Sequence, residues 1–294
     1  MSIEDLSKYS DAAGRSAGVV ISRYSSSFGL ACRMLGPRAR RDIENIYALV
    51  RVADEVVDGA AAAAGLDVVA VGEQLNRLEQ ETELAMLSGY STNLVVHAFA
   101  GTARDCGIQA SLTQPFFASM RADLTVTRHD ADSLEEYIYG SAEVVGLMCL
   151  RVFQTMPGAS KGHDQELERA ARSLGSAFQK VNFLRDLAAD GEELGRNYVA
   201  ASGTAPLDEA AKDHLIAQIR SELIEAQAGL PLLAPGARRA VGLAHGLFVA
   251  LVDRLDAAPA EHLLQRRIRV PGAEKASIAL RAIAARSPRK AKAV

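Results

Sequence analysis

The sequence predicts one all-α domain, and three observations carry that prediction. Apolar residues recur at helical spacing along most of the chain. No apolar–polar alternation flanked by turn pairs marks a strand. Gly and Pro punctuation falls between the periodic segments rather than inside them. The expected helices cover about 5–24, 37–58, 66–88, 91–106, 112–124, 133–154, 163–190, 207–229, 236–256 and 273–286. Gly36-Pro37, Gly59, Gly107, Pro157-Gly158, Gly203 with Pro206, Pro235-Gly236 and Pro271-Gly272 supply the breaks. No stretch has linker composition and no internal repeat is visible, so 1–285 is expected to be a single domain. Residues 286–294 hold four basic residues and a Pro and are expected to be a disordered tail, with an anionic lipid surface as a weak candidate contact.

Bulk properties narrow the function classes. The chain has 294 residues, 49% of them hydrophobic and 23% charged, which is ample for a buried core. A net charge of -3 gives no basic field for nucleic acid, so no nucleic-acid partner is expected. Cys32, Cys106 and Cys149 are widely spaced and odd in number, as for reduced thiols in a cytoplasm. The start, MSIEDLSKYS, is polar and acidic and does not read as a signal peptide. The most apolar stretch, GLAHGLFVALV, is shorter than the ~20 residues of a spanning helix. A membrane is therefore expected to be met only from its surface. No oligomeric state is legible.

The stretch RVADEVVDGA sets two acids, Asp54 and Asp58, four apart among Val and Ala. On a helical wheel Ile43, Ile46, Tyr47, Val50 and Val57 form one apolar stripe, with Asp54 in its middle. Asp58 lies on the shoulder of that stripe, beside Tyr47 and Arg51. An ionised carboxylate on a face turned toward other helices needs a partner. Two readings remain: an ion pair with Arg51, or a site for a cation.

A second helix weighs on that choice. In GSAFQKVNFLRDLAADGEELGRNY, Gly175, Gln179, Asn182, Asp186 and Asp190 share one band, while Leu174, Phe178, Val181 and Leu184 take another side. Arg185 and Arg196 are close by in sequence. Such a stripe alone is usually a solvated face. Two acid pairs on two helices, each near an Arg, suit a different task. Carboxylates from facing helices hold hard cations such as Mg²⁺ that leave positions open for substrate phosphates, and arginines and amides contact the phosphate oxygens. Ionisation of an allylic diphosphate needs that equipment, with an apolar pocket sheltering the cation from water.

With these motifs in order and spacing, the chain resembles the squalene/phytoene synthases, head-to-head prenyltransferases of the all-α isoprenoid synthase fold, from about Tyr24 to Arg281. SSSFGLACRML with IYALVRVADEVVD is similar to the family's first signature, and YIYGSAEVVG to its central helix. QKVNFLRDLAAD with GRNY is similar to the second signature, and RRIRVP to the C-terminal basic segment.

The resemblance implies helices around a central cavity, and metal–diphosphate binding by Asp54, Asp58, Asp186 and Asp190. It implies Mg²⁺ as the cofactor, with Mn²⁺ as the alternative ion. It places Arg51, Arg185 and Arg267 near the diphosphates, Gln179 and Asn182 along the second site, and Ser26 and Ser27 at a flap over the mouth. Tyr47, Tyr137 and Tyr198 match tyrosines around the reaction centre, and Tyr137 or pyrophosphate oxygens are the candidates for moving the protons. Gly140, Ser141, Ala142 and Gly146 are small enough for a prenyl chain to lie on the backbone, or for close helix packing. Cys149, Met148 and Phe153 read as pocket wall or plain core.

There are departures too. The family often has Lys or Arg near Ser26; Ala188 and Ala189 replace a common Gly and Glu; Asp190 is one residue further from GRNY than is usual; Phe248 stands where some members have Tyr.

The implied activity is that of a phytoene synthase in carotenoid biosynthesis, joining two geranylgeranyl diphosphates through prephytoene diphosphate. The alternative is a farnesyl diphosphate-using enzyme giving squalene, dehydrosqualene or hydroxysqualene, with NADPH needed only for squalene. A non-catalytic relative and a terpene cyclase are weaker readings, since all four aspartates and the central helix motif are present. Peripheral membrane contact follows from the greasy substrates and products.

Overall fold

Local chemistry sets where each helix begins. The structure is a computed structural model that describes residues 3–126, 129–189 and 207–284. Its elements are α1 (Ile3–Tyr24), α2 (Ser26–Cys32), α3 (Pro37–Asp58), α4 (Ala60–Ala63), α5 (Val68–Ser88), α6 (Leu94–Cys106), α7 (Ala110–Ala122) and α8 (Ala131–Ile138). A π-helical turn (Tyr139–Glu143) joins α8 to α9 (Val144–Gln154). Then come α10 (Asp164–Ala189), α11 (Glu209–Gly229), a 3₁₀ turn (Leu230–Leu232), α12 (Pro235–Asp256), α13 (Ala260–Leu263) and α14 (Gly272–Ala284). No strand occurs among the described residues, as the all-α expectation required. Nor is any helix there long and apolar enough to cross a membrane.

Differences from the expected spans have local causes. Asp67, Asn93, Asp130 and Asp208 each accept a backbone N–H at a helix start, so α5, α6, α8 and α11 begin just after those residues. Ser25 caps α2 by accepting from Phe28 N at 3.1 Å, making a helix from a stretch that periodicity left unassigned. The long helix expected over 133–154 is interrupted by the π turn. The tail at 286–294 lies outside the described residues.

The main core draws on α1, α3, α5, α6, α7 and α9, with Phe99, Phe116 and Phe117 fully buried. A second cluster joins α10, α11 and α12, and a third joins α2, α12 and α14. Buried polar groups pin the elements. Asn45 of α3 donates to Ala98 O and to Thr102 Oγ1 of α6, and Thr102 donates to Asp42. Buried Lys212 ties the start of α11 to the end of α12 through Asp256 O and Ala258 O.

Glycine controls the closest helix contacts. A Cβ at Gly140 would stand 2.1 Å from Ser119 Oγ and 2.3 Å from Pro115 O of α7. At Gly146 it would stand 2.6 Å from Ala171 O of α10, and at Gly175 2.6 Å from Ala142 O. The two pairs, 142 with 175 and 146 with 171, define an antiparallel register between the central helix and α10. The small residues thus divide: Gly140 serves packing alone, while Ser141, Ala142 and Gly146 also face a cavity. Met148 is core, whereas Cys149 and Phe153 line the cavity.

Gly140→Ala is expected to cost about 3 kcal/mol by denaturant unfolding, because the methyl meets the Pro115 backbone, which cannot step aside, as well as Ser119 Oγ. Gly101→Ala, whose Cβ meets nothing within 4 Å, is the control and should be neutral or stabilising. Equal losses at both sites would contradict the packing account.

Candidate active site

A cavity with a volume of about 840 Å³ is walled by α2, α3, the central helix, α10 and α12. Along α10 it is lined at i, i+3, i+4 spacing from Leu167 to Arg185. Its two ends differ in chemistry. Arg51, Asp54, Gln179, Asn182, Arg185, Arg267, Arg269 and Lys275 surround one end. Leu150, Phe153, Leu167, Leu230 and Leu233 stand at the other. The middle is apolar, with Cys32, Val145, Cys149, Phe178 and Phe248 in the wall. Burial pushes the Cys32 and Cys149 thiols up to about 12, so both remain neutral wall groups. The Phe178 and Phe248 rings stack at 3.5 Å, filling with apolar surface the place where some family members have a Tyr.

On α3, Asp54 lines the cavity, and Arg51 Nη1 donates to it at 2.6 Å. Arg51 also binds Glu55 and lies over the Tyr24 ring at 4.5 Å. The ion-pair reading of the sequence is therefore realised, and Asp54 also interacts with the Asp58 carboxyl. Burial and the neighbouring Asp58 carboxyl push the Asp54 acid up to about 7, against the lowering pull of Arg51. Asp58, expected on the shoulder of the buried stripe, is exposed at the helix end, next to Gly59 with its φ of 146°. Arg51 Nε is buried without a hydrogen-bond partner, a donor left over at the cavity wall.

On α10, Gly175, Gln179 and Asn182 of the predicted polar band line the cavity, as does Arg185 beside the band, whereas Asp186 of the band is not among the lining residues. Asp186 is clasped by Arg185 and by Arg267 Nε at 2.8 Å, the latter arriving from the basic C-terminal segment. Asp190, Arg196 and Tyr198 lie outside the described residues, as does the Ser26 side chain. Ser27 lines the mouth and accepts from Lys275 Nζ of α14 at 3.0 Å, so a cation reaches the flap from a distant helix. Tyr47 stacks on Phe28 at 5.5 Å, and burial pushes its phenol up. The Tyr137 hydroxyl donates to Asp123 Oδ2 at 3.1 Å, and Asp123 adds to the field that raises Asp54.

Sequence reasoning missed Asp123, Arg269 and Lys275. The run of basic residues in RRIRVPGAEK held a signal for the last two; nothing local marked Asp123. Among the described residues, no group of three or more His, Cys, Asp or Glu side chains is arranged to hold a metal ion.

Known proteins resemble this arrangement. The family model for squalene/phytoene synthase matches residues 21–274. The chain is 31% identical over 196 residues to phytoene synthase 1, chloroplastic, of Solanum lycopersicum, covering 66% of this chain and 44% of that protein. It is 28% identical over 254 residues to phytoene synthase of Pseudescherichia vulneris, covering 80% and 79%. The match thus spans less than half the length of that plant relative. Among solved structures, a dehydrosqualene synthase in complex with ligand aligns with a TM-score of 0.74 at 21% identity, covering 95% of this chain and 97% of that one. Squalene synthase HpnC from Alicyclobacillus acidocaldarius aligns with a TM-score of 0.66 at 17% identity, covering 87% and 96%.

The acid pair makes a stability prediction. With its folded pKa near 7, Asp54 keeps a proton that an unfolded chain releases near pH 4. The folded state then binds more protons across that window, so stability of the chelator-treated protein falls as pH rises from about 4 to about 7. Asp54→Asn removes this contribution. Its Tm should exceed the wild-type value by a few degrees at pH 7.5, and the gap should close near pH 4. Parallel melting curves across the window would show that Asp54 carries no raised pKa.

Proposed function

We propose, from the premise that the chain belongs to the squalene/phytoene synthase family, that it joins two geranylgeranyl diphosphates head to head into phytoene. The observation that carries the chain length is the depth of the cavity. Asn182 at the polar end and Leu167 at the apolar end are fifteen residues apart on one helix, which is about 22 Å at the helical rise. An extended carbon chain advances about 1.25 Å per bond, from standard bond lengths and angles. The sixteen main-chain carbons of a geranylgeranyl group therefore reach about 19 Å, and the twelve of a farnesyl group about 14 Å. A C20 chain anchored at the polar end reaches to within about 3 Å of the floor, whereas a C15 chain stops about 8 Å short of it.

The residues at the mouth fit a diphosphate with a divalent cation. Arg51, Arg185, Arg267 and Lys275 offer cationic donors, including the leftover Arg51 Nε. Burial and the neighbouring Asp58 carboxyl hold the Asp54 acid up at about 7 against the pull of Arg51, so a nearby cation would favour its charged form. Asp54, Asp58, Asp186 and Asp190 are the oxygen donors that would hold Mg²⁺, which, when bound, neutralises the leaving pyrophosphate. Arg51 and Arg267, ion-paired to Asp54 and Asp186, are freed to contact phosphate oxygens once those carboxylates find another cation.

The chemistry asks three things of the rest of the cavity. Loss of pyrophosphate from one substrate leaves an allylic cation, which the double bond of the second attacks. Proton loss closes a cyclopropane; a second pyrophosphate loss, ring rearrangement and a second proton loss give phytoene. The apolar middle, with neutral thiols and stacked phenylalanines, excludes water from these cations. Gln179 and Asn182 orient the head of one substrate. The Tyr137 hydroxyl, held by Asp123, is a fixed oxygen at the cavity wall positioned to take a proton.

Purified protein with Mg²⁺ and an equimolar mixture of geranylgeranyl and farnesyl diphosphates is expected to give phytoene as the main product. A predominance of C30 hydrocarbon would overturn the chain length. Asp186→Ala is expected to lower kcat by at least about 100-fold, and full activity in that variant would sink the carboxylate assignment.

A further inference from the structure

What measures the chain is a question of its own. Below the stacked pair of Phe178 and Phe248, the wall changes character. One turn below Phe178 the α10 lining is Leu174, and beyond that it is alanine. Ala171 faces Gly146 across the closest approach of two helix backbones, where a Cβ on Gly146 would stand 2.6 Å from Ala171 O. Ala170 and Ala240 line the same level. Larger side chains return only at the floor, with Phe153, Leu167, Leu230 and Leu233.

Distances along α10 place this stretch of small residues against the two substrates. Ala171 is eleven residues below Asn182, about 16 Å along the helix. That depth lies between the reach of a farnesyl group, about 14 Å, and that of a geranylgeranyl group, about 19 Å. Ala170 lines the cavity beside Ala171 on the α11 side, where a Cβ on Gly229 would stand 2.5 Å from its methyl. Ala171 keeps partial exposure into the cavity, and its methyl is the side chain that a fourth isoprene unit must pass.

We infer that Ala171 is the gauge that admits a C20 chain, and that a larger side chain there converts the cavity to C15 selection. The inference rests on the reading of the site as a prenyl diphosphate cavity. A bulky group at 171 crosses the slot from its tightest wall. Gly146 has no side chain to move aside, and the two backbones are already in contact, so the added volume enters the cavity. The substrate then loses the space for its last unit, while the diphosphate end, about 16 Å away, is untouched.

Binding and turnover separate this inference from the reading beneath it. Calorimetry of the full chain with Mg²⁺ and non-hydrolysable thiolo-diphosphate analogues of C15 and C20 reads the gauge without requiring catalysis. In wild type the C20 analogue should bind more tightly. In Ala171→Phe and the milder Ala171→Leu, the ratio of the two dissociation constants should shift toward C15 by about 10- to 100-fold, graded with size. An unchanged ratio in variants whose melting shows them folded would overturn the gauge. Should Ala171→Phe fail to fold, Ala171→Leu decides, and Leu167→Ala at the floor gives the converse: tighter binding of a C25 analogue, whose absence would also count against it. A wild-type protein that binds neither analogue, or binds both and makes no C30 or C40 product, defeats the proposed function instead.

Discussion

The structure depends on three places where helix backbones touch. Gly140 against Pro115, Gly146 against Ala171 and Gly175 against Ala142 bring α7, the central helix and α10 closer than side chains permit. This contact fixes the register of the central helix on α10, and with it the level of everything those helices carry. Tyr137 comes beside Phe183, at a ring separation of 6.2 Å, near the polar end. Phe153 and Leu167 come together at the floor. The π turn over Tyr139–Glu143 is the local adjustment at this contact: its extra residue per turn rotates the helix between the packing face of Gly140 and the cavity face of Ser141 and Ala142.

That rigid wall gives meaning to the charges at the mouth. Acids held on packed helices cannot move apart to relieve their repulsion, so the relief comes from protons and arginines. Asp54 takes a proton, and Asp186 takes two guanidinium partners. On the proposed reading both arrangements stand in for a bound cation, and Arg51 Nε is a donor left over. The same arginines would then serve two states: ion-paired to carboxylates, or turned to phosphate oxygens. Long side chains such as Arg51 and Arg267 suit that exchange, because their guanidinium planes match carboxylate and phosphate alike.

How much of this was legible in the sequence follows from the range of each interaction. Periodicity reports one helix at a time, so the helix spans, the placement of Asp54 within an apolar stripe and the polar band of Gln179 and Asn182 were all accessible. Cap positions were accessible in principle but shifted four starts, since Asp67, Asn93, Asp130 and Asp208 act just outside the apolar pattern. A wheel drawn at 100° has no place for a π turn. Nor does it report the end of a helix, which is why Asp58 was expected on a packed face and is exposed. Arg267 on Asp186, Lys275 on Ser27 and Tyr137 on Asp123 join segments distant in sequence, so only the folded chain brings them together.

A cavity with one polar end measures length from a fixed origin. On the proposed reading the diphosphate rests where cations and amides converge, so the first carbon of the chain would start at a known level on α10. Every later carbon then meets a known residue, and selection by length reduces to which side chain stands at which depth. Glycine-mediated contact makes that ruler stiff, because a wall of touching backbones does not yield to a longer substrate. The packing contact that builds the fold, the charge cluster at the mouth and the alanine inferred to admit the tail thus lie along one helix, α10. From Leu167 to Arg185 that helix lines the cavity with a floor leucine, Ala171, Phe178 and the amides of Gln179 and Asn182, and Asp186 follows, paired to Arg267.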